Sequence, residues 1–315
     1  MTVTIRDLRP GDASDAEAVV RVRRAALPFM ITTAPGVAFE RDSAHPDKHY
    51  RLLLAEDGDG LVIATAQVGI VYDSPEPGQG FVNAYAHPAH RGRGAGTALL
   101  RAAEEHLAAV GAVASYAWVL DDPAHRAFAE RRGYRVGRSA HFLRLDLAAA
   151  ELPQLPDPLP AGVELRSGAD FLRDPRPLYE ADAAASLDEP GDVQTEFADY
   201  EDWLRHTWGD PHLDKELTTV VVVDGEVAAF TAALNDGAGR YGSGMTGTLR
   251  AHRGRGLAKL AKTDSLRRAR AAGCTEAFTG NDTGNAPMLA VNAWFGYGVC
   301  ATEARYVKKL EAPAG

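Results

Sequence analysis

The stretch AHRGRG occurs twice in this chain, at residues 89–94 and again at residues 251–256. The two copies begin 162 residues apart in a chain of 315 residues, which is about half of its length. A chain of this size divides comfortably into two domains of about 150 residues each. Internal duplication is therefore the first hypothesis that the repeat raises.

The landmarks on both sides of the two copies recur in the same order. Each half begins with a strand and a helical region, followed by two β-rich runs joined at an Asp-Gly turn. A further strand leads into each AHRGRG, and the helix after it ends at Gly111 in one half and Gly273 in the other. A strand, a short helix and a last strand close each half. This order predicts an α/β fold in which each of two tandem domains has a mixed sheet with helices on both faces.

A proline-rich stretch marks the boundary between the two halves. Residues 151–162 read ELPQLPDPLPAG and contain four prolines, a composition typical of a semi-rigid, exposed linker. We therefore predict an N-terminal domain over residues 1–150 and a C-terminal domain over residues 163–315.

Composition narrows the possible partners and locations. The net charge of −9 argues against nucleic acid as the main partner, and the apolar runs are too short to span a membrane. Cys274 and Cys300 do not make a disulfide framework, and the polar N-terminus lacks a signal-peptide core, so a cytoplasmic location is expected. No metal site is expected, because Pro46 separates His45 from His49 and no third ligand is evident. The sequence does not fix the oligomeric state.

One segment of the second half is strongly acidic. Residues 180–216 contain twelve Asp and Glu side chains, against Arg205 and Lys215 as the only Lys or Arg. Such a run is either a solvated helical face or an acidic rim that attracts a cationic substrate. The sequence leaves both interpretations open.

The arginine-glycine loop has the parts of an anion cradle. The first N–H groups of a helix lack partners within the helix, its dipole is positive at that end, and glycines let a ligand approach the backbone. Arginines add charge-assisted donors, so the loop suits a diphosphate. The Walker pattern requires Lys-Ser/Thr after its last glycine, and neither copy has that pair. The dinucleotide fingerprint requires a third glycine, and Thr97 and Lys259 stand at that position in the two copies. An N-capped surface turn and an RNA-binding segment are the remaining, weaker alternatives.

The pattern that fits both copies is Arg-x-x-Gly-x-Gly/Ala, which resembles the acyl-CoA pyrophosphate loop of the GNAT superfamily of N-acetyltransferases. The second half also resembles tandem actinobacterial-type members through TGTLRAHRGRGLAKLAK at residues 246–262 and TGNDTGNAPMLAVNAWFGYG at residues 279–298. The resemblance implies two tandem GNAT-like acyltransferase domains that use acetyl-CoA as co-substrate. The cofactor-binding residues it implies are Ala86, His87, Arg91, Gly92, Arg93, Gly94, Ala95, Gly96 and Thr97 in the first half and Thr248, Leu249, Arg253, Gly254, Arg255, Gly256, Leu257, Ala258 and Asn285 in the second.

By this resemblance, the enzyme transfers an acetyl group to an amine of a small molecule or a protein by direct attack on the thioester. The amine must first be neutral, and a lysine-like amine of pKa about 10.4 is only about one part in 10³ neutral at pH 7. Supplying the neutral form costs about 4–5 kcal/mol unless the site removes the proton. A general base and an acid for the departing thiolate are therefore expected.

The family's usual acid and base positions are only partly present. No Asp or Glu occurs in residues 78–90 or 240–252, ahead of either loop. The polar residues there are Asn83, Tyr85 and His87 in the first half and Thr246 and Thr248 in the second. A base in the second half could also come from Asp188 and Glu189 in SLDEPGD, since resembling proteins carry an acidic-Pro turn in this loop. The family acid is commonly a tyrosine seven residues after an asparagine; Asn285 matches that asparagine, and Asn292 occupies the tyrosine position. The first half departs at both positions and is the candidate for a degenerate domain, so catalysis is expected in the second half. The alternative is a non-catalytic acyl-CoA sensor or scaffold.

Overall fold

The structure is a computed structural model that describes residues 2–188 and 199–310. These residues form two compact units, one of residues 2–140 and 302–310 and the other of residues 141–188 and 199–301. The unit that holds the first AHRGRG copy is called the N-terminal unit, and the other the C-terminal unit. Both have the mixed sheet and flanking helices that the sequence predicts.

In the sheet of the N-terminal unit, the strands Gln79–Ala86 (β4) and Ala114–Leu120 (β5) run parallel, whereas the other pairs among the first five strands are antiparallel. Helix α3 lies against this sheet through side chains at helical spacing, among them Leu99, Ala103 and Leu107, which have no exposed surface. Helix α1 starts at Asp12, whose carboxylate accepts the N–H groups of Ser14 and Asp15. The elements are β1 Thr4–Asp7, α1 Ala13–Ala26, α2 Ala34–Asp42, β2 Arg51–Glu56, β3 Val62–Ile70, β4 Gln79–Ala86, α3 Ala95–Ala109, β5 Ala114–Leu120 and α4 Pro123–Glu130.

The C-terminal unit repeats this order. Its parallel pair is Arg240–Thr248 (β10) with Glu276–Asp282 (β11). Strand Thr219–Val223 (β8) is buried on both faces, and a run of four valines suits such a strand. The elements are β6 Arg135–Asp146, β7 Val163–Ser167, α5 Arg176–Ser186, α6 Tyr200–Trp203, β8 Thr219–Val223, β9 Glu226–Asn235, β10 Arg240–Thr248, α7 Leu257–Ala271, β11 Glu276–Asp282, α8 Ala286–Trp294 and β12 Gly298–Lys309, with β6 and β12 each divided between the units.

The prediction that each half closes its own sheet with its last strand is wrong. Strand β12, at the end of the second half, pairs with β5 in the N-terminal unit, with Glu303 opposite Leu120 and Lys309 opposite Ala114. Strand β6, at the end of the first half, lies next to β11, and the N–H of Leu147 just after it donates to Thr275 O at 2.9 Å. Relative to the predicted boundaries, residues 302–310 therefore belong with the first half and residues 141–150 with the second.

The exchange has a simple physical origin. Strands pair through backbone N–H and C=O groups that every residue carries, so similar last strands can satisfy either sheet. Residues 151–162, the predicted linker, form no helix or strand and lie within the C-terminal unit.

Candidate active site

The two arginine-glycine loops have the same backbone shape. In each, a turn of 3₁₀ helix leads through Arg91 or Arg253 into a glycine that begins α3 or α7. The glycine before each helix, Gly94 or Gly256, has a φ of +87° or +77°. No side chain caps either helix start, so the first-turn N–H groups have no side-chain acceptor.

The space in front of the glycines is open. A Cβ built at Gly92, Gly94, Gly254 or Gly256 would meet no heavy atom within 4 Å. Their left-handed backbone, rather than crowding, is what requires glycine there. A diphosphate could therefore approach the exposed N–H groups of both loops.

Three of the four predicted loop arginines, Arg93, Arg253 and Arg255, have protein partners. Arg93 lies 3.7 Å from the carboxylate of Asp57, and Arg255 lies 3.1 Å from His252 Nδ1. Arg253 Nε donates to the carbonyl of Thr248 at 3.1 Å, which bends its guanidinium back over the end of β10.

Several of the predicted contacts are limited to backbone groups. Ala95 and Leu257 are buried, so only their N–H groups face the loop. The amides of His87 and Leu249 donate to Ile63 O and Ala228 O on the neighbouring strands. Backbone groups alternate in direction along a strand. Ala86 and Thr248, which precede His87 and Leu249, therefore turn their N–H and C=O groups away from those neighbouring strands.

The remaining predicted contacts of the first half support α3. The hydroxyl of Thr97 accepts a bond of 2.6 Å from Arg132, and that guanidinium lies 3.5 Å from the centre of the Phe128 ring. A Cβ at Gly96 would lie 3.4 Å from the same ring. These residues fix the first turn of α3 against α4.

The strands ahead of the second loop diverge. Strands β10 and β11 pair only from Arg240 with Glu276 to Ser243 with Thr279. Between Ser243 and Thr246 the register of β10 against β9 shifts, as in a β-bulge. Beyond Ser243 and Thr279 the pairing of β10 with β11 stops, and we call the unpaired space between the two strands the gap.

The strands ahead of the first loop part at the equivalent place. Strands β4 and β5 pair from Gln79 with Ala114 to Phe81 with Tyr116. Strand β4 shows no register shift against β3, however, and the side chain of Asn83 crosses to β5. Asn83 Oδ1 accepts the N–H of Trp118 at 3.0 Å, so a side chain bridges this gap.

Asn285 lies at the start of α8 and acts as its N-cap. Its Oδ1 accepts the N–H of Met288 at 3.3 Å. Asp122, at the equivalent point of the first half, caps α4 in the same way through Ala124 and His125. These contacts account for both residues as helix caps, and cofactor binding by Asn285 stays a prediction.

Asn292 is the centre of a buried polar chain that includes Lys262, a residue that sequence reasoning missed. Asn292 has no exposed surface, and its Oδ1 accepts a bond of 2.5 Å from Lys262 Nζ. Its Nδ2 donates to Asn281 Oδ1, also at 2.5 Å. Asn281 lies on β11 beyond the last residue paired with β10, at the gap.

Lys262 is the unusual member of this chain. It has no exposed surface, its ammonium lies 4.9 Å from the centre of the Tyr297 ring, and burial lowers its pKa to about 7. Its position in LAKLAK, among apolar residues at helical spacing, is the signal that could have placed it on the buried face of α7.

Asp188 faces the second loop at the end of α5. Its carboxylate accepts bonds from Arg250 and from Arg253, one of the predicted phosphate ligands. These hydrogen bonds hold the pKa of Asp188 well below its usual range, which makes it a weak base. Glu189 lies outside the described residues.

The described residues also bear on metal and membrane binding. Within residues 2–188 and 199–310, no three His, Cys, Asp or Glu side chains are grouped so that they could hold a metal ion. In that same part of the chain, the helices lack the length and apolar character that crossing a membrane requires.

Comparison with known families and proteins identifies relatives of both halves. The model of the Acetyltransferase (GNAT) family matches residues 17–134 and 178–297. A mycothiol acetyltransferase of Nocardia farcinica is 35% identical over 187 residues, which cover 58% of this chain and 57% of that protein. A second, from a Nocardioides species, is 29% identical over 224 residues, covering 67% of this chain and 74% of its own. The match thus spans little more than half of the Nocardia farcinica protein.

Solved structures share the whole fold. A tandem GNAT protein from the clavulanic acid biosynthesis pathway superimposes with a TM-score of 0.74 over all of both chains at 18% identity. A GCN5-related N-acetyltransferase from Sphaerobacter thermophilus gives a TM-score of 0.69, covering 98% of this chain and 96% of its own at 22% identity. At these identities the likeness concerns the fold.

Proposed function

The chain belongs to the acetyltransferase (GNAT) family and is an acetyltransferase, and from that premise we propose that it moves the acetyl group of acetyl-CoA to an amine, mainly in its C-terminal unit. The amine belongs to a small molecule or a protein. It attacks the thioester carbonyl directly, so no acetylated enzyme forms.

The observation that carries this assignment is the gap between β10 and β11. The register shift between Ser243 and Thr246 turns β10 away from β11 just ahead of the Gly256 loop. A strand that leaves its neighbour presents unpaired backbone donors and acceptors, and these suit the amide-rich arm of coenzyme A.

The second loop fits the diphosphate of the same molecule. Uncapped N–H groups at the start of α7, two left-handed glycines and nearby guanidinium groups are the donors that a diphosphate needs. Gly254 and Gly256 leave room for it, since a Cβ there would meet nothing within 4 Å.

We assign the buried polar chain to the leaving-group side of the gap. Asn281 Oδ1 accepts the bond from Asn292, so the Asn281 amide nitrogen is left to donate toward the sulfur of coenzyme A. Lys262 holds Asn292 in the orientation that makes this possible. An amide donates a hydrogen bond but does not release a proton, so Asn281, oriented by Asn292, stabilises the charge of the leaving sulfur where the family tyrosine would supply a proton.

The base in this unit is assigned by elimination. Asp188 is tied to two arginines, so it is better suited to hold the loop than to remove a proton. Glu189 remains the sequence-based candidate.

The acceptor class follows from charge and from the relatives. The acidic composition of residues 180–216 favours a cationic amine as acceptor. The relatives are named mycothiol acetyltransferases, so the reaction of a mycothiol acetyltransferase is the first to assay, beside acetylation of polyamines, aminoglycosides and lysine peptides.

The test is a pair of loop variants with matched controls. Gly256→Glu places a carboxylate at the start of α7, where it repels phosphate, and should lower turnover at least 100-fold. Gly273→Glu is the control, because Gly273 has a similar φ of +91°, open space around it, and lies at the far end of the same helix. Gly94→Glu and Gly111→Glu form the equivalent pair in the N-terminal unit.

Two readouts decide the outcome. Thiol release from acetyl-CoA measures turnover, and calorimetry counts the sites that bind acetyl-CoA. If Gly94→Glu abolished turnover while Gly256→Glu left it unchanged, the assignment of the active unit would be wrong.

A further inference from the structure

The exchanged strand brings a carboxylate into the N-terminal unit, whose own β4 has none. Glu303 of β12 lies opposite Leu120 of β5. Strand β4 runs parallel to β5, and the last pair is Phe81 with Tyr116, so Tyr85 and Leu120 each lie four residues past it. Besides burial, the charge of Glu303 acts on Tyr85 and helps to raise the pKa of its hydroxyl, which places the two side chains near each other.

Glu303 faces the side of the sheet that carries α1. Its neighbours Ala304 and Tyr306 are buried in the cluster formed with α3. Because side chains alternate along a strand, Glu303 and Arg305 face the opposite side. Tyr85 packs with residues of α1 on that same side.

The surroundings of Glu303 combine burial with two cations. Arg305 and Arg138 lie over the Trp118 ring, with the guanidinium carbon 5.1 Å and 5.2 Å from its centre. Burial raises the pKa of Glu303 to about 7, and the two arginines act against this rise. A carboxylate of that kind takes up and releases a proton near neutral pH.

The other side of the gap is fixed by a buried ion pair. Arg23, which is 1% exposed, holds Glu40 at 3.0 Å and lies 5.9 Å from the centre of the Tyr85 ring. Burial raises the pKa of Tyr85 to about 12, so its hydroxyl stays protonated as a hydrogen-bond donor. The groups that face Glu303 are therefore Arg305 on its own strand, Arg138 on β6 and Tyr85 on β4.

We infer that the N-terminal unit is a second acetyl-transfer centre, in which Glu303, delivered by the last strand of the chain, is the general base. It acts on a primary amine that enters from the α1 side of the sheet. The inference rests on the proposed function in one respect, namely that the Gly94 loop also binds acetyl-CoA.

The reaction balances with these groups alone. The carboxylate of Glu303 takes one proton from the ammonium group, and the neutral nitrogen attacks the thioester carbonyl carbon. The C–N bond forms, the C–S bond breaks, and coenzyme A leaves as a thiolate. The second proton lost from nitrogen neutralises that thiolate, while Glu303 returns its own proton to solvent.

The experiment isolates this centre in the Gly256→Glu background. Thiol release is measured from pH 5.5 to 8.5 with the primary amine that gives the highest turnover in a panel of spermidine, glucosamine and a lysine peptide. We expect residual turnover that rises with pH through about 7, because the base must be ionised. Adding Glu303→Gln should lower this residual turnover at least tenfold and remove the inflection near pH 7.

Two further variants control for structure. Glu303→Asp keeps the carboxylate and should retain part of the turnover. Glu105→Gln removes an exposed carboxylate from α3 of the same unit and should change nothing. Thermal melting of each variant checks that the strand exchange persists.

Three results separate the outcomes. The inference is overturned if Glu303→Gln leaves the residual turnover unchanged. It is also overturned if Gly256→Glu alone abolishes turnover completely, a result that agrees with the proposed function. If instead Gly256→Glu leaves turnover intact, the proposed function fails, and loss of turnover in Glu303→Gln on the unmodified chain would still support the second centre.

Discussion

The two units share a loop but differ in the gap beside it. Both have left-handed glycines and an uncapped helix start. In the C-terminal unit a register shift opens β10 from β11, whereas in the N-terminal unit the side chain of Asn83 joins β4 to β5. The two copies thus share the loop that we propose to hold a diphosphate, and they differ at the gap where we propose that the chemistry takes place.

The polar groups around the two gaps also differ in origin. In the C-terminal unit they lie on α7, α8 and β11 of the same half, as Lys262, Asn292 and Asn281. In the N-terminal unit the proposed base, Glu303, comes from β12 at the end of the second half. The two proposals thus place a hydrogen-bond donor for the leaving group beside one gap and a general base near the other.

The largest effect that would sharpen the comparison is expected at Lys262. Lys262→Met removes the donor to Asn292, which then loses its fixed orientation, so turnover in the C-terminal unit should fall about 10- to 100-fold with little change in KM for acetyl-CoA. Steady-state kinetics in a Gly94→Glu background measures this. Lys262→Arg keeps a donor and should recover part of the turnover; equal loss in both variants would point to a packing role alone.

The same residue should make stability depend on pH. The pKa of Lys262 is about 7 in the folded chain and about 10.4 when unfolded, so the unfolded state binds more protons between these values. The free energy of unfolding should therefore rise with pH above 7, by up to about 1.4 kcal/mol per unit. Urea titrations at pH 7 and 9 should show this rise in the unmodified chain and not in Lys262→Met. A parallel rise in both would contradict it.

A smaller effect is expected where Asn83 bridges the first gap. Asn83→Ala frees the N–H of Trp118 for a ligand, so acetyl-CoA should bind the N-terminal unit about five times more tightly, a gain of about 1 kcal/mol. Calorimetry in the Gly256→Glu background measures it. Asn83→Asp keeps the acceptor oxygen and serves as the control; unchanged affinity in Asn83→Ala would mean that the bridge does not obstruct binding.

The smallest effect concerns Asp188. Its carboxylate competes with phosphate for Arg253, so Asp188→Asn should tighten binding of acetyl-CoA in the C-terminal unit about two- to threefold, while the turnover rate stays within a factor of two. Glu180→Gln, another acidic change on α5, is the matched control. If turnover in Asp188→Asn instead fell at least 100-fold, Asp188 would be restored as the general base.

Much of the fold could be predicted from the sequence. The repeated loop, the Asp-Gly turns and the helix-ending Gly111 and Gly273 are local signals, and the last two do adopt the left-handed backbone that ends helices. Local signals are reliable where one residue type alone permits a backbone shape, as glycine does at a positive φ. The cradle at each helix start follows from the same rule.

The site chemistry could be predicted only in part. The spacing from Asn285 singles out Asn292 but not its partner Lys262, because burial of a lysine depends on which helix face meets the sheet. Asn83 gives no sequence signal for its bond to Trp118 either, since that bond joins strands through residues that are 35 positions apart.

The sequence by itself therefore determined the duplication, the mixed α/β architecture and the glycine-led starts of α3 and α7, because each rests on short-range spacing and on the conformational freedom of glycine. Only the tertiary structure decided that the last strands change places, that β10 leaves β11, and that Glu303 joins the N-terminal unit. Backbone hydrogen bonds do not distinguish one strand from another, because every residue offers the same groups. Which strands pair is therefore decided by the folding of the whole chain.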